Sequence, residues 1–214
     1  MSTAANRPLL PRKQPRQQRA HDTMESILEA AAQVLETVGF EKMTTTKVAL
    51  RAGTSVGSLY QYFPSKDALL YALLERKFAR IVSKLATSIE SSRGESLDVR
   101  TSALIEALFR EKAARAKLGA ELARQAPRLD KRRMAAHLAE EVHRLVHGML
   151  EEHREELGVQ DLELASWMLV HAVTGIADAA MLGALERLRD PAFIEAVTDH
   201  ALGALGRKRR RARS

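Results

Sequence analysis

The stretch Thr44–Lys66, TTTKVALRAGTSVGSLYQYFPSK, restricts the backbone more than any other part of the chain. Gly53 supplies a left-handed turn residue between two short segments, and Pro64, which lacks a backbone N–H, stops the second. Thr44 or Thr45 can cap the first segment, whose Val48, Ala49 and Ala52 make a small apolar face. Ser55 can cap the second, which runs to Phe63. Two short helices around a tight turn are the pattern of a helix-turn-helix, which lays its second helix in the major groove of DNA.

Two details favour DNA over a plain helical hairpin. Gly57 falls in the first turn of the second helix, where Gly in place of Ala costs up to about 1 kcal/mol; close approach of the backbone to a groove floor accounts for it. All three tyrosines, Tyr60, Tyr62 and Tyr71, lie in or just after this unit, two of them beside Gln61 and near Ser58. Hydroxyl and amide side chains of this kind bond phosphates and base edges. Leu59 and Phe63 are the two residues assigned to a small core.

From Gly39-Phe40 through Leu70 the sequence resembles the amino-terminal domain of TetR/AcrR-type transcriptional regulators. The resemblance rests on Thr45 before the first helix, Ala49, the Ala52-Gly53 turn, Gly57, Leu59-Tyr60, Phe63 and the Ser65-Lys66 opening of the next helix, all in register. The rest of the chain resembles the family only in being all-helical and of the right length. Together with the side-chain chemistry, the resemblance puts Thr45, Tyr60, Tyr62 and Lys66 on phosphates. Thr46, Val56, Gly57, Ser58 and Gln61 then face base edges, with Ser55 at the cap. Many family members carry a basic residue at the position of Thr46 or Val56, so apolar contact and DNA shape are expected to matter here. The resemblance implies a cytoplasmic homodimer on a double-stranded DNA operator, a repressor released by a small-molecule effector. It implies no enzymatic activity and no cofactor.

The remaining pattern predicts an all-α fold of about nine helices. Asp22-Thr23-Met24-Glu25 has the form of a capping box, followed by apolar residues at helical spacing from Ile27 to Val38 and by Gly39. Ser65 caps a helix whose apolar face continues from Leu69 to Ile89. Lys66 at its start opposes the helix dipole unless a phosphate binds there. Further helices are expected near 97–113, 115–126, 130–157, 161–184 and 191–206, with Asp190-Pro191 as cap and first residue of the last. The expected organisation is a basic, disordered arm over 1–20, a helix-turn-helix domain over 21–66, a larger helical ligand-binding and dimerisation domain over 67–206, and a basic tail over 207–214.

The net charge of +7 is carried by the two ends. Residues 1–20 and 207–214 hold eleven of the 34 basic side chains and none of the 27 acidic ones, so the body between them is net acidic. An arm reading PRKQPRQQR can lie along the DNA backbone or in the minor groove, or can simply keep the chain soluble. The chain has no cysteine, which removes disulfides and thiolate metal sites. No apolar segment follows the first basic residues, so no signal peptide is expected. Leu162–Leu182 is long enough to span a bilayer, but Asp178 within it would cost about 2.5–3.5 kcal/mol there, and a buried helix is expected instead.

That helix also carries the candidate effector contacts. Trp167, His171, Thr174 and Asp178 stack at spacings of four, three and four, and with Phe109 and Met168 they are the expected ligand-binding set. A hydrogen-bonded dimer seam or a solvent edge explains the same stripe equally well. A helix apolar nearly all round calls for cover on several sides, so this helix and the one near 191–206 are expected to form the dimer interface.

Other chemistry is declined. Gly53-Thr54-Ser55-Val56-Gly57 matches the GxSxG nucleophile elbow, which needs a strand and a parallel sheet that this chain does not offer. Glu140, His143 and His147 make half of a carboxylate-histidine metal motif with no second half, so no metal site is expected. A constitutive DNA binder without ligand and a helical metal-binding protein remain the alternatives.

Overall fold

The computed structural model describes residues 18–125 and 131–206, which contain nine α-helices and no strand. The arm up to Gln17, Pro127 and the basic tail from Arg207 lie outside the described residues. The described residues fall into two compact units, divided as Met1–Lys77 with Lys117–Lys131 and Phe78–Ala116 with Arg132–Ser214.

The first unit is built on α1 (Gln18–Lys42), which buries Ile27, Leu28, Ala31 and Leu35 and packs on α2. The expected capping box does not cap: the chain is already helical at Gln18, and the Thr23 hydroxyl bonds the Arg19 carbonyl one turn back. Gly39 does break the helix, at φ 74° and ψ 169°, a backbone region essentially confined to glycine. α2 (Thr45–Arg51) and α3 (Val56–Tyr62) follow, then the first part of α4 (Lys66–Ser91). Arg76 on α4 reaches both Glu25 (3.2 Å) and Glu29 (2.6 Å) of α1. α6 (Ala116–Gln125) falls mainly in this unit although it comes later in the chain. Its Glu121 carboxylate accepts a hydrogen bond from Phe40 N at 3.1 Å, satisfying a backbone donor next to the Gly39 break.

The second unit is arranged around α5 (Leu97–Ala114), which buries residues on several sides and packs on α8 (Leu162–Gly183) and α9 (Pro191–Ala204). Asp161 and Asp190 cap α8 and α9, and Pro191 is the first residue of α9, as the sequence predicts. α7 (Lys131–Glu151) ends earlier than expected, and a 3-10 turn covers Arg154–Glu156. Glu152 and His153 leave the helix to meet the guanidinium of Arg100, and Leu157 is buried beyond the turn.

α8 is long and apolar enough to cross a membrane by length and composition. Its Leu162, Leu169, Val173, Ala177 and Ala180 are buried, whereas Leu164, Trp167, Met168 and Leu182 are exposed. Within one chain, therefore, only one face of this helix is covered, not several.

Candidate nucleic-acid interface

Local chemistry builds the helix-turn-helix as the sequence prescribes. Of the two candidate caps of α2, Thr44 does the work, its hydroxyl accepting from Lys47 N at 3.2 Å. Gly53 adopts φ +67°, and the amides of Gly53 and Thr54 close the turn onto the carbonyls of Leu50 and Ala49. The Ser55 hydroxyl accepts from Ser58 N at 3.0 Å and starts α3. That use accounts for Ser55 without a nucleophile, and a helix, not a strand, precedes it.

Val48, Ala49, Leu59 and Phe63 turn inward. Thr46, Gly57, Tyr60 and Gln61 are exposed, and Thr45, Val56 and Ser58 are half-buried. Thr45 Oγ1 and Tyr60 Oη lie 3.2 Å apart in a hydrogen bond that joins the start of α2 to the outer edge of α3. Two hydroxyls held together at a helix edge can bond a phosphate without first losing side-chain freedom. Gly57 has open space where a Cβ would sit, apart from the Ser55 hydroxyl at 3.8 Å, so nothing among the described residues requires a glycine there.

Two expected phosphate contacts sit differently. Tyr62 is only 8% exposed and belongs to the buried face of α3 with Leu59, so its ring is a core residue rather than a surface contact. Lys66 places its ammonium 3.6 Å from the centroid of the Phe40 ring, and this cation–π contact helps offset the unfavourable helix dipole without a phosphate. Lys47, which the sequence reading did not name, is exposed beside Thr46 and donates to the Lys42 carbonyl at 2.9 Å. Its charge next to the cap was the available signal.

The expected effector contacts do not converge. Trp167 and Met168 are exposed by half or more, and the Trp167 and His171 rings stack at 4.0 Å on the outside of α8. His171 Nδ1 donates to the Trp167 carbonyl at 2.8 Å. Phe109 is fully buried and faces Phe193 at 6.1 Å between centroids. Asp178 forms an ion pair with Lys112 of α5. Of these residues Thr174 alone lines a small apolar cavity of about 40 Å³, whose other walls include Leu85, Thr101, Leu108, Val146 and Val170. The Thr101 hydroxyl is buried there and makes no hydrogen bond among the described residues. A second, open cleft of about 810 Å³ lies beside α5 and α9, with Glu106, Arg110, Arg189, Glu195 and Thr198 among its lining residues. Trp167 and His171 lie on the exposed side of α8 while Thr174 and Asp178 turn toward α5, a division that spacing within one helix cannot reveal.

Both parts of the chain match known sequence patterns. Residues 27–73 match bacterial regulatory proteins of the tetR family, and residues 96–205, more than half of the chain, match the tetracyclin repressor-like C-terminal domain. The HTH-type transcriptional repressor KstR of Mycobacterium tuberculosis is 45% identical over 58 residues, covering 27% of this chain and 26% of that protein. The nucleoid occlusion factor SlmA of Mannheimia succiniciproducens is 35% identical over 85 residues, 36% of this chain and 39% of that protein. The chain thus matches well under half the length of these relatives. Among solved structures, the transcriptional regulator FadR from Bacillus subtilis, in complex with stearoyl-CoA, superposes with a TM-score of 0.64 at 20% identity, over 86% of this chain and 97% of that one. At that identity the likeness is one of fold.

Proposed function

Because the chain belongs to the tetR family of bacterial regulatory proteins, DNA-binding regulators of transcription, we propose that it is a homodimeric repressor that a small ligand releases from its operator. The observation that carries this reading is the outer edge of α3. Gly57, Tyr60 and Gln61 are exposed together beside Thr46, on a helix whose opposite side is anchored by Leu59 and Phe63. A rigidly held helix with a polar, glycine-containing edge suits a major groove. Gln61 is the candidate partner for an adenine and Val56 for a thymine methyl, while Thr45, Tyr60 and Lys47 hold phosphates.

Effector response belongs, in this reading, to the cavity lined by Thr101, Thr174 and Leu85. Its lining is almost wholly apolar, with two hydroxyls for orientation, and about 40 Å³ holds little more than water. An apolar ligand would therefore bind only an expanded core, and only that preference lets it shift the equilibrium. Leu85 is on α4, the helix that also contributes Ala68, Leu69 and Leu70 to the unit containing α3. Expansion at Leu85 would move α4 and alter the spacing of the two recognition helices.

Selection of bound duplexes from a random pool tests the DNA part. The expected product is a palindromic site whose half-sites lie about one helical turn, 34–36 Å, apart. Recovery of no consensus would refute a sequence-specific regulator. A consensus without any small molecule able to release it would favour a constitutive DNA binder.

A further inference from the structure

We propose that His143, His147 and Glu163 bind one divalent first-row transition ion of the zinc class, fastening α7 to the first turn of α8. The sequence offers Glu140 and two imidazoles on α7, half of a metal motif, and no second half along that helix. The fold supplies the third from a different helix. The candidate donor atoms of the three side chains lie within 4.8 Å of one another. His147 Nδ1 is 3.4 Å from one Glu163 carboxylate oxygen, and His143 Nδ1 is 3.7 Å from the other. A tetrahedral ion with nitrogen and oxygen ligands at about 2.0–2.1 Å needs donors about 3.3 Å apart, so small side-chain movements close the site. Glu163 is mostly exposed and free to make them.

The buried hydroxyl of Ser166 determines which nitrogen of His143 is available. Ser166 Oγ donates its hydrogen to the Glu163 carbonyl at 3.0 Å and can only accept from His143 Nε2, 2.8 Å away. Nε2 therefore carries the proton of the neutral ring, and Nδ1 directs its lone pair toward the Glu163 carboxylate. A lone pair facing an anion is unfavourable unless a proton or a metal cation lies between them, and with Nε2 already protonated a metal cation leaves the ring neutral. Hydrogen bonding of a ligating imidazole through its other nitrogen is also the usual way such a ring is oriented. His147 Nδ1 lies at a longer 3.3 Å from the same hydroxyl, a contact that metal binding gives up: as a ligand this nitrogen keeps its lone pair for the ion and the ring proton stands on Nε2.

Donor chemistry selects the ion. Two imidazoles and one carboxylate suit zinc, cobalt, nickel or iron(II), with at least one coordination position left for water. Magnesium and calcium prefer all-oxygen surroundings. The proposal does not depend on the DNA-binding reading.

The test uses the full chain, stripped of metal with a chelator that is then removed, and titrated with zinc chloride against a chromophoric competitor. One ion per chain is expected, with magnesium unable to compete and cobalt giving the visible absorption of a low-coordinate site. Glu163→Gln and His147→Gln alter accessible side chains and should leave the melting temperature of the metal-free protein unchanged. Each is expected to weaken zinc binding by more than about tenfold, and Ser166→Ala, which removes no donor, by about 10- to 100-fold. Absence of saturable uptake, uptake that E163Q and H147Q leave unchanged, or effective competition by magnesium would each overturn the proposal.

Discussion

At Gln61, exposed on the outer edge of α3, the recognition reading can be tested one side chain at a time. A glutamine paired with one adenine adds about 1–3 kcal/mol of discrimination at that base pair. Gln61→Ala is therefore expected to relax selectivity at one operator position, whereas Tyr60→Phe, which removes a phosphate donor, should weaken all sequences alike. Competition binding against singly substituted operators separates the two, and identical profiles would contradict the assignment. Gly158 tests packing in the same way. A Cβ there would lie 2.0 Å from the Gly206 carbonyl oxygen, and backbone cannot yield as a side-chain tip can. Gly158→Ala should cost about 1–3 kcal/mol or more in denaturant unfolding. Residue roles fixed by local chemistry were legible beforehand: the Ser55 cap, the positive φ of Gly53 and the Asp190-Pro191 start all involve groups within a few residues of each other. Tyr62 and Trp167 were not, because which side of a helix is covered depends on partners distant in sequence. A tyrosine beside Gln61 reads as surface until the packing of α3 puts its ring inside.

Among the elements, α5 and the end of α7 are joined by a charge that water does not reach. Arg100 is buried, its Nη1 lies 2.5 Å from the Glu152 carboxylate, and its Nε and Nη2 find no hydrogen-bond partner among the described residues. The hydrogen bond from Arg100 holds the Glu152 carboxyl below its usual range, against a weaker opposing effect of desolvation. A depressed carboxylate stabilises the native state in full above its unfolded value, about 4.3. That contribution fades as the pH drops through the lower folded value. Glu152→Gln should thus lower stability at neutral pH by leaving Arg100 without its counter-ion, and the gap from the parent should narrow on acidification below about pH 4.3. Urea unfolding along a pH series gives the difference, and parallel curves would show that Glu152 contributes no charge effect. The same contact explains what the periodicity of α7 concealed. On paper Gly158 is the first stop signal and the helix runs to 157, but the backbone turns where Glu152 and His153 engage Arg100. The placement of α6 was hidden for a like reason, since the bond from Phe40 N to Glu121 spans 81 residues. Helix existence and most boundaries were legible because caps and glycines are local signals; helix partners were not.

For the whole molecule, the uncovered side of α8 is the feature a single chain leaves unresolved. Leu164, Trp167, Met168 and Leu182 are exposed along one helix, more apolar surface than a lone subunit usually presents on one element. α9 has small residues, Ala192, Ala196 and Gly203, on its own exposed side, and small side chains let a neighbouring helix approach closely. A symmetric pairing of α8 and α9 with their copies puts the same patch on both subunits. Such an interface needs about 800 Å² from each subunit to be stable, an area that four large apolar side chains and two helix faces can approach. The proposed homodimeric repressor makes the same demand, since two recognition helices one turn apart require two chains. Placing a carboxylate at the centre of the patch, Met168→Glu or Trp167→Glu, would bring two like charges together across the symmetry axis of the proposed dimer and should convert it to monomers. Because both side chains are already exposed, the melting temperature of the subunit should change little, which distinguishes dissociation from unfolding. Sedimentation velocity at micromolar concentration is expected to show half the parent mass, and affinity for the two-half-site operator should collapse toward that for a single half-site. A variant that remained dimeric and bound as before would move the interface elsewhere, and the exposed face of α8 would then need a different partner.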